Sequence, residues 1–306
     1  MDIILHIGAH RCGSTAVERV ISQNARVLRE DGVEIWPPKV LRAIPGFTGL
    51  AGAAKKAGQR QDLLMTAAEA LAERLQRTEA SGVRTLIWSE ENLIGGMYEN
   101  LVRCGFYENA ASRLDVYAAF LPAPPTRVAL AIRSYEAYWV SAYLYLLGQR
   151  PMPDFANLAE SLARVERGWR DLIADVQTVF PDSEIVIWQQ EQLAGNEIGI
   201  ACRLIGRTHR TRLAPAMANV NATRLTPGDM AAMHRIHAET GNGTGRERRH
   251  ALQADRAERT GRPEPEMFAA QTIPALKARY ERDVSALQNG FGGVQLFTPG
   301  KTEALL

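Results

Sequence analysis

Short apolar runs alternate with stretches of helical spacing along most of the chain. Asp2–Ile7 is an apolar run that ends at Gly8. A short apolar run of this kind predicts a strand buried on both faces, as in a parallel sheet. Thr15–Glu30 follows, with Val17, Ile21 and Leu28 on one face and Val20 and Val27 beside it, the pattern of an amphipathic helix. Gly32 closes that helix, and Val33–Trp36 reads as a second strand before Pro37 and Pro38. Residues 61–80 are rich in Ala and Leu at helical spacing. Thr85–Ser89 and Arg127–Ile132 read as the third and fourth strands, the latter set off by Pro122, Pro124 and Pro125. Helices are expected over Glu136–Leu147 and Leu158–Phe180, and a fifth strand over Glu184–Trp188. The remainder reads as mostly helical, with a Gly-rich loop at Gly241–Gly245.

Strands that alternate with helices predict an α/β fold, a parallel sheet with helices on both faces. The expectation is a single domain over residues 1–306, with helical insertions around 37–80, 94–125 and 236–270. Ligands of such sheets bind at the carboxyl ends of the strands. That rule selects the loops after Ile7, Ser89, Ile132 and Trp188.

Composition narrows the partners. At 46% hydrophobic and 23% charged residues, the chain has the make-up of an ordinary globular protein. A net charge of +2 supplies no global field for nucleic acid, so none is expected as a partner. Arg246, Arg248, Arg249, Arg256, Arg259 and Arg262 are concentrated in one stretch, which reads either as a solvated helical face or as a basic cover over an anionic ligand. Cys12, Cys104 and Cys202 lie far apart, so neither a zinc site nor a disulfide framework is indicated. Ile3-Ile4-Leu5 is too short for a signal peptide, and no run reaches the roughly 18 apolar residues of a membrane span. A cytoplasmic location is the expectation.

The loop after the first strand carries the strongest chemistry. Gly8-Ala9-His10-Arg11-Cys12-Gly13-Ser14-Thr15 joins a strand to a helix, the context of an anion cradle. Glycines let the backbone turn its N–H groups inward, and the helix start adds the positive end of its dipole. Ser14 and Thr15 can donate hydroxyl hydrogen bonds to phosphate oxygens. The Gly8-to-Gly13 spacing matches a nucleotide-hydrolase P-loop, but Ser14 stands where that motif needs Lys. A cation sits inside the loop instead, at Arg11. The G-x-G-x-x-G pattern of dinucleotide-binding folds is absent. Further along, Arg133 follows the fourth strand, Ser141 comes eight residues later and Tyr143 two beyond that. If the strand–helix turn is tight, Arg133 and Ser141 can grip one phosphate.

Arg11, Cys12, Gly13, Ser14 and Thr15, with Arg133 and Ser141, resemble the two donor-binding motifs of the sulfotransferases that use 3′-phosphoadenosine 5′-phosphosulfate. The family usually has Lys at the position of Arg11, and Ser or Thr at that of Cys12. It often has Pro at the position of Tyr135, so the turn there differs. Weaker echoes are Ser89-Glu90-Glu91-Asn92-Leu93, Glu191, the polar loop Asn219–Arg224, and Leu276–Leu287 followed by Phe291-Gly292-Gly293. The resemblance spans most of the chain, although only the first two motifs are specific.

The resemblance implies transfer of a sulfuryl group to a hydroxyl or amine of a small-molecule, glycan or lipid acceptor, with no metal required. Cys12, Gly13, Ser14 and Thr15 would hold the 5′-phosphate, Arg133 and Ser141 the 3′-phosphate, and Arg224 would lie in the loop that covers the nucleoside. Arg11 would also stabilise the leaving oxygen. Two residues compete as general base, Glu91 and His10. Most of the aromatic cluster Tyr135, Tyr138, Trp139, Tyr143 and Tyr145 is expected in the core, with one or two members free to line an acceptor pocket. The alternatives are a P-loop kinase or nucleotide hydrolase, and a catalytically degenerate nucleotide-binding protein.

Overall fold

The fold is that of a computed structural model, which describes residues 1–50, 57–206, 213–217, 224–240, 245–261 and 263–298. The strands are Asp2–Gly8 (β1), Val33–Trp36 (β2), Thr85–Ser89 (β3), Arg127–Ile132 (β4), Glu184–Gln189 (β5) and Gln295–Leu296 (β6). They form a six-stranded sheet in the order β2-β3-β1-β4-β5-β6, and every pair is parallel. The fold class is therefore α/β, a parallel sheet flanked by helices.

The helices are Ser14–Gln23 (α1), Ala25–Glu30 (α2), Pro38–Leu41 (α3), Ala57–Ala80 (α4), Met97–Val102 (α5), Ala110–Ala118 (α6) and Tyr135–Leu147 (α7). They continue with Ala156–Ala163 (α8), Trp169–Val179 (α9), Glu197–Ile205 (α10), Met230–Thr240 (α11), Gly245–Glu258 (α12) and Ile273–Gln288 (α13). Among the described residues, no helix is long and apolar enough to cross a membrane.

β1 is the pivot of the sheet. The chain builds β2 and β3 on one side of it, then crosses to build β4, β5 and β6 on the other. A crevice opens at such a reversal of strand order, outside the carboxyl ends. Along β1, Ile3, Ile4, Leu5 and Ile7 are all buried, as expected for a strand covered on both faces. A second apolar centre surrounds Phe106, whose ring packs edge-on against Tyr107, Tyr135, Tyr138, Trp139 and Trp169. Tyr135, Tyr138, Trp139 and Tyr143 are buried, whereas Tyr145 is 43% exposed.

Two expected helices are broken, each for a visible reason. The stretch 15–30 splits at Asn24, whose side chain donates to the carbonyls of Val20 (2.7 Å) and Ala214 (2.9 Å) and accepts from Ala214 N (2.8 Å). A side chain that competes for backbone groups ends a helix. The stretch 158–180 splits between α8 and α9. At its break, Trp169 N donates to Tyr135 Oη at 2.9 Å, and a Cβ on Gly168 would collide with that hydroxyl. β6, two residues long, is too short to leave a periodic signal. The Gly-rich loop at 241–244 lies outside the described residues.

Candidate functional site

The loop between β1 and α1 is fixed by close approaches. Gly8 and Gly13 have φ of 100° and 92°, in the left-handed region that glycine occupies without a steric cost. A Cβ on Gly8 would lie 2.8 Å from Glu91 Cβ, so only glycine lets the turn after β3 rest on the loop. A Cβ on Gly13 would run into Leu193. Arg11 also has positive φ, at 60°, although it carries a side chain. Its neighbours hold it there. His10 N donates to Tyr107 Oη (3.3 Å), Cys12 N donates to Ala9 O (3.2 Å), and Arg133 Nη1 donates to Arg11 O (2.9 Å).

Arg11, Arg133 and Ser141 come together beyond the carboxyl ends of β1 and β4. Arg11 Nε donates to Ser141 Oγ at 3.1 Å, and its guanidinium lies over the Tyr145 ring, 4.6 Å from the centroid. Burial first, then the charges of Arg224 and Arg133, pull the Arg11 guanidinium below its ordinary range. An arginine crowded by two other cations forms a site an anion would stabilise. Arg133 Nε is buried without a hydrogen-bond partner among the described residues. α1 begins at Ser14 with no side-chain N-cap, which leaves first-turn N–H groups to an outside acceptor. Ser14 is buried and Thr15 exposed.

Cys12 stands differently. Its side chain is fully buried, burial pushes its thiol up, and its N–H is taken by Ala9 O. Arg224 is exposed, and the rest of the polar loop, 219–223, lies outside the described residues. Of the arginine-rich stretch, Arg256 and Arg259 are spent on a buried carboxylate. Asp229 accepts from Arg256 Nε at 2.9 Å and from Arg259 Nη2 at 2.7 Å. Arg256 also donates to Arg224 O at 2.8 Å, so this ion cluster braces the segment that bears Arg224.

His10 and Glu91 flank the other side of the loop. Tyr138 Oη donates to Tyr107 Oη (3.1 Å), which also accepts from His10 N. The Tyr107 proton therefore goes to His10 Nδ1 (3.0 Å), and His10 Nε2–H donates to Asn92 Oδ1 (3.2 Å). Both ring nitrogens are engaged, and burial lowers the proton affinity of the imidazole. Glu91 pairs with Arg42 Nη2 at 3.3 Å. That guanidinium also grips the buried Glu90 twice, at 2.7 and 2.6 Å.

The motifs left other members of this wall unmarked: Glu18, His6, Arg42 and Tyr107. Ser89 Oγ donates to Glu18 Oε1 at 2.5 Å and lies 2.8 Å from His6 Nδ1. The signal available for Glu18 was a carboxylate set between Val17 and Ile21 on the apolar side of the first helix. Burial, then the charges of Glu91 and Glu90, raise Glu18 to about 7, against the pull of Ser89 and Arg42. Burial lowers His6 to about 4.

No family model and no curated sequence matches the chain. A solved structure, a sulfotransferase from Alicyclobacillus acidocaldarius, matches with a TM-score of 0.41 at 15% identity, over 83% of this chain and 95% of that one.

Proposed function

We propose that the chain transfers a sulfuryl group from 3′-phosphoadenosine 5′-phosphosulfate to a hydroxyl or amine acceptor. The observation that carries this reading is the convergence of Arg11, Arg133 and Ser141 beyond the carboxyl ends of β1 and β4, with the buried Nε of Arg133 lacking an acceptor among the described residues. A nucleotide with phosphates at both ends of its ribose needs two anion grips. The start of α1, with Ser14 and Thr15, suits the 5′-phosphate, and Arg133 with Ser141 suits the 3′-phosphate. Arg11 bridges the two grips and is the group that would neutralise the oxygen released when the sulfur–oxygen bond breaks. Positioning and charge stabilisation would supply most of the acceleration.

Of the two residues that compete as base, His10 has no free nitrogen to take a proton, and serves this reading better as a clamp on the loop. Glu91 remains next to the loop, with Arg42 on its carboxylate. The acceptor would enter from this acidic wall, opposite the arginines.

A thermal-shift comparison tests the donor. With 3′-phosphoadenosine 5′-phosphate at a hundredfold over its dissociation constant, stability should rise by about 2.7 kcal/mol. ATP and GTP, lacking the 3′-phosphate, should need much higher concentrations for the same shift. A protein that responds to ATP with Mg²⁺ and ignores the 3′-phosphorylated nucleotide would favour a kinase or nucleotide hydrolase instead.

A further inference from the structure

The acidic wall holds a carboxyl that neither donor motif accounts for. Glu18 lies one turn after Ser14 on α1, on the same helix face as the residue that ends the loop. It is half-buried, and one of its oxygens is bound to Ser89 Oγ. No ion pair holds it among the described residues, whereas Glu90 and Glu91 both share Arg42. Behind it, Ser89 Oγ also meets His6 Nδ1, and His6 Nε2 is buried without a partner among the described residues. The three groups form a line from the loop into the core.

This line holds in both protonation states of the carboxyl. With Glu18 ionised, His6 Nδ1–H donates to Ser89 Oγ, and the hydroxyl donates to Glu18 Oε1. A proton taken up on the other oxygen, Oε2, leaves both of these bonds in place. A carboxyl held through one oxygen can therefore gain a proton on the other without losing a hydrogen bond.

From this geometry we propose that Glu18 is the general base of the transfer, with Ser89 and His6 as the residues that position it. The inference rests on the sulfuryl-transfer reading above. In the step, the acceptor oxygen or nitrogen forms a bond to sulfur. The bond from sulfur to the 5′-phosphate oxygen breaks, and its electron pair leaves with the bisphosphate. The acceptor proton passes to Glu18. Glu91, held by Arg42, shapes the wall beside it. The charged and titratable groups around Glu18 are His6 from β1, Glu90 and Glu91 from the turn after β3, and Arg42 from the end of α3. Glu18 ionises near pH 7 in this setting, which suits a base that works at neutral pH.

The test uses the full chain and hydrolysis of 3′-phosphoadenosine 5′-phosphosulfate, with water as acceptor and sulfate release as the readout. Glu18→Gln should lower turnover by roughly a hundredfold or more and leave affinity for 3′-phosphoadenosine 5′-phosphate unchanged. The wild-type rate should rise with pH to a plateau with a midpoint near 7, and the variant should lose that limb. Ser89→Ala should keep the limb but move its midpoint. A further readout needs no turnover. A carboxyl raised in the folded state costs stability as pH climbs from its ordinary value of 4.5 to about 7, so the melting temperature of Glu18→Gln relative to wild type should increase across that window. Turnover within about threefold of wild type, with an unchanged pH profile, would overturn the assignment. If the wild-type protein binds no 3′-phosphorylated nucleotide, the donor reading itself fails. If it binds the nucleotide and Glu18→Gln behaves as wild type, only the base is misassigned.

Discussion

Arg11→Met should lower turnover of 3′-phosphoadenosine 5′-phosphosulfate by roughly 10²–10³-fold or more. The side chain is the one cation in the loop that touches the second motif, through Ser141 at 3.1 Å. Methionine keeps much of the length and the packing on Tyr145, so the loss reports charge and hydrogen bonding. Affinity for the bisphosphate product should fall as well, because the proposed site sets Arg11 between its two anion grips. Arg11→Lys should recover part of the rate, since it restores the charge but not the fork that reaches Ser141 and lies over the ring. Steady-state kinetics with calorimetric binding of the product separates the two effects. A methionine variant with near-normal turnover would remove Arg11 from the chemistry.

The largest loss of stability is expected from Trp169→Ala, about 3–5 kcal/mol in urea unfolding. Trp169 is fully buried and packs edge-on against Phe106 with centroids 4.8 Å apart. It also stacks on Tyr135 at 6.1 Å and donates from its indole to Arg133 O at 2.8 Å. Truncation would open a cavity and leave the Arg133 carbonyl without its indole donor. Trp169→Phe should keep much of the packing and still lose the hydrogen bond. Comparing the two for nucleotide affinity tells whether the indole steadies Arg133. Equal affinity in wild type and Trp169→Phe would limit Trp169 to packing.

The parts of this protein that sequence could reach are those encoded locally. A strand buried on both faces is mostly apolar, which is why Asp2–Ile7, Thr85–Ser89 and Arg127–Ile132 stand out. Gly8 and Gly13 mark the turn because neighbours sit where a side chain would be. Arg133 and Ser141 are one strand end and one helix apart, so their spacing could be read. What long-range contacts decide could not. Asn24 ends α1 because of a segment 190 residues away. Gly168 parts α8 from α9 because Tyr135, tied in turn to Asp283 of α13, occupies the space beside it. Glu18 resembles any surface carboxylate until Ser89, 71 residues on, is placed against it. The same holds for His10, whose role as a loop clamp depends on Tyr107 and Asn92 arriving from two other segments.

The position of β1 between β3 and β4 has a consequence for biosynthesis. β1 leaves the ribosome long before either of its partners, which begin at Thr85 and Arg127. At about 5–20 residues per second, the wait for the second partner is roughly 6–25 s. Throughout it, a mostly apolar strand stays unsheltered on its β4 side, and the arginine loop lacks its Arg133 contact. Rare codons placed before β4 would lengthen that exposure. Yield of soluble chain should therefore depend more on translation speed through residues 9–126 than on speed through the segments that follow.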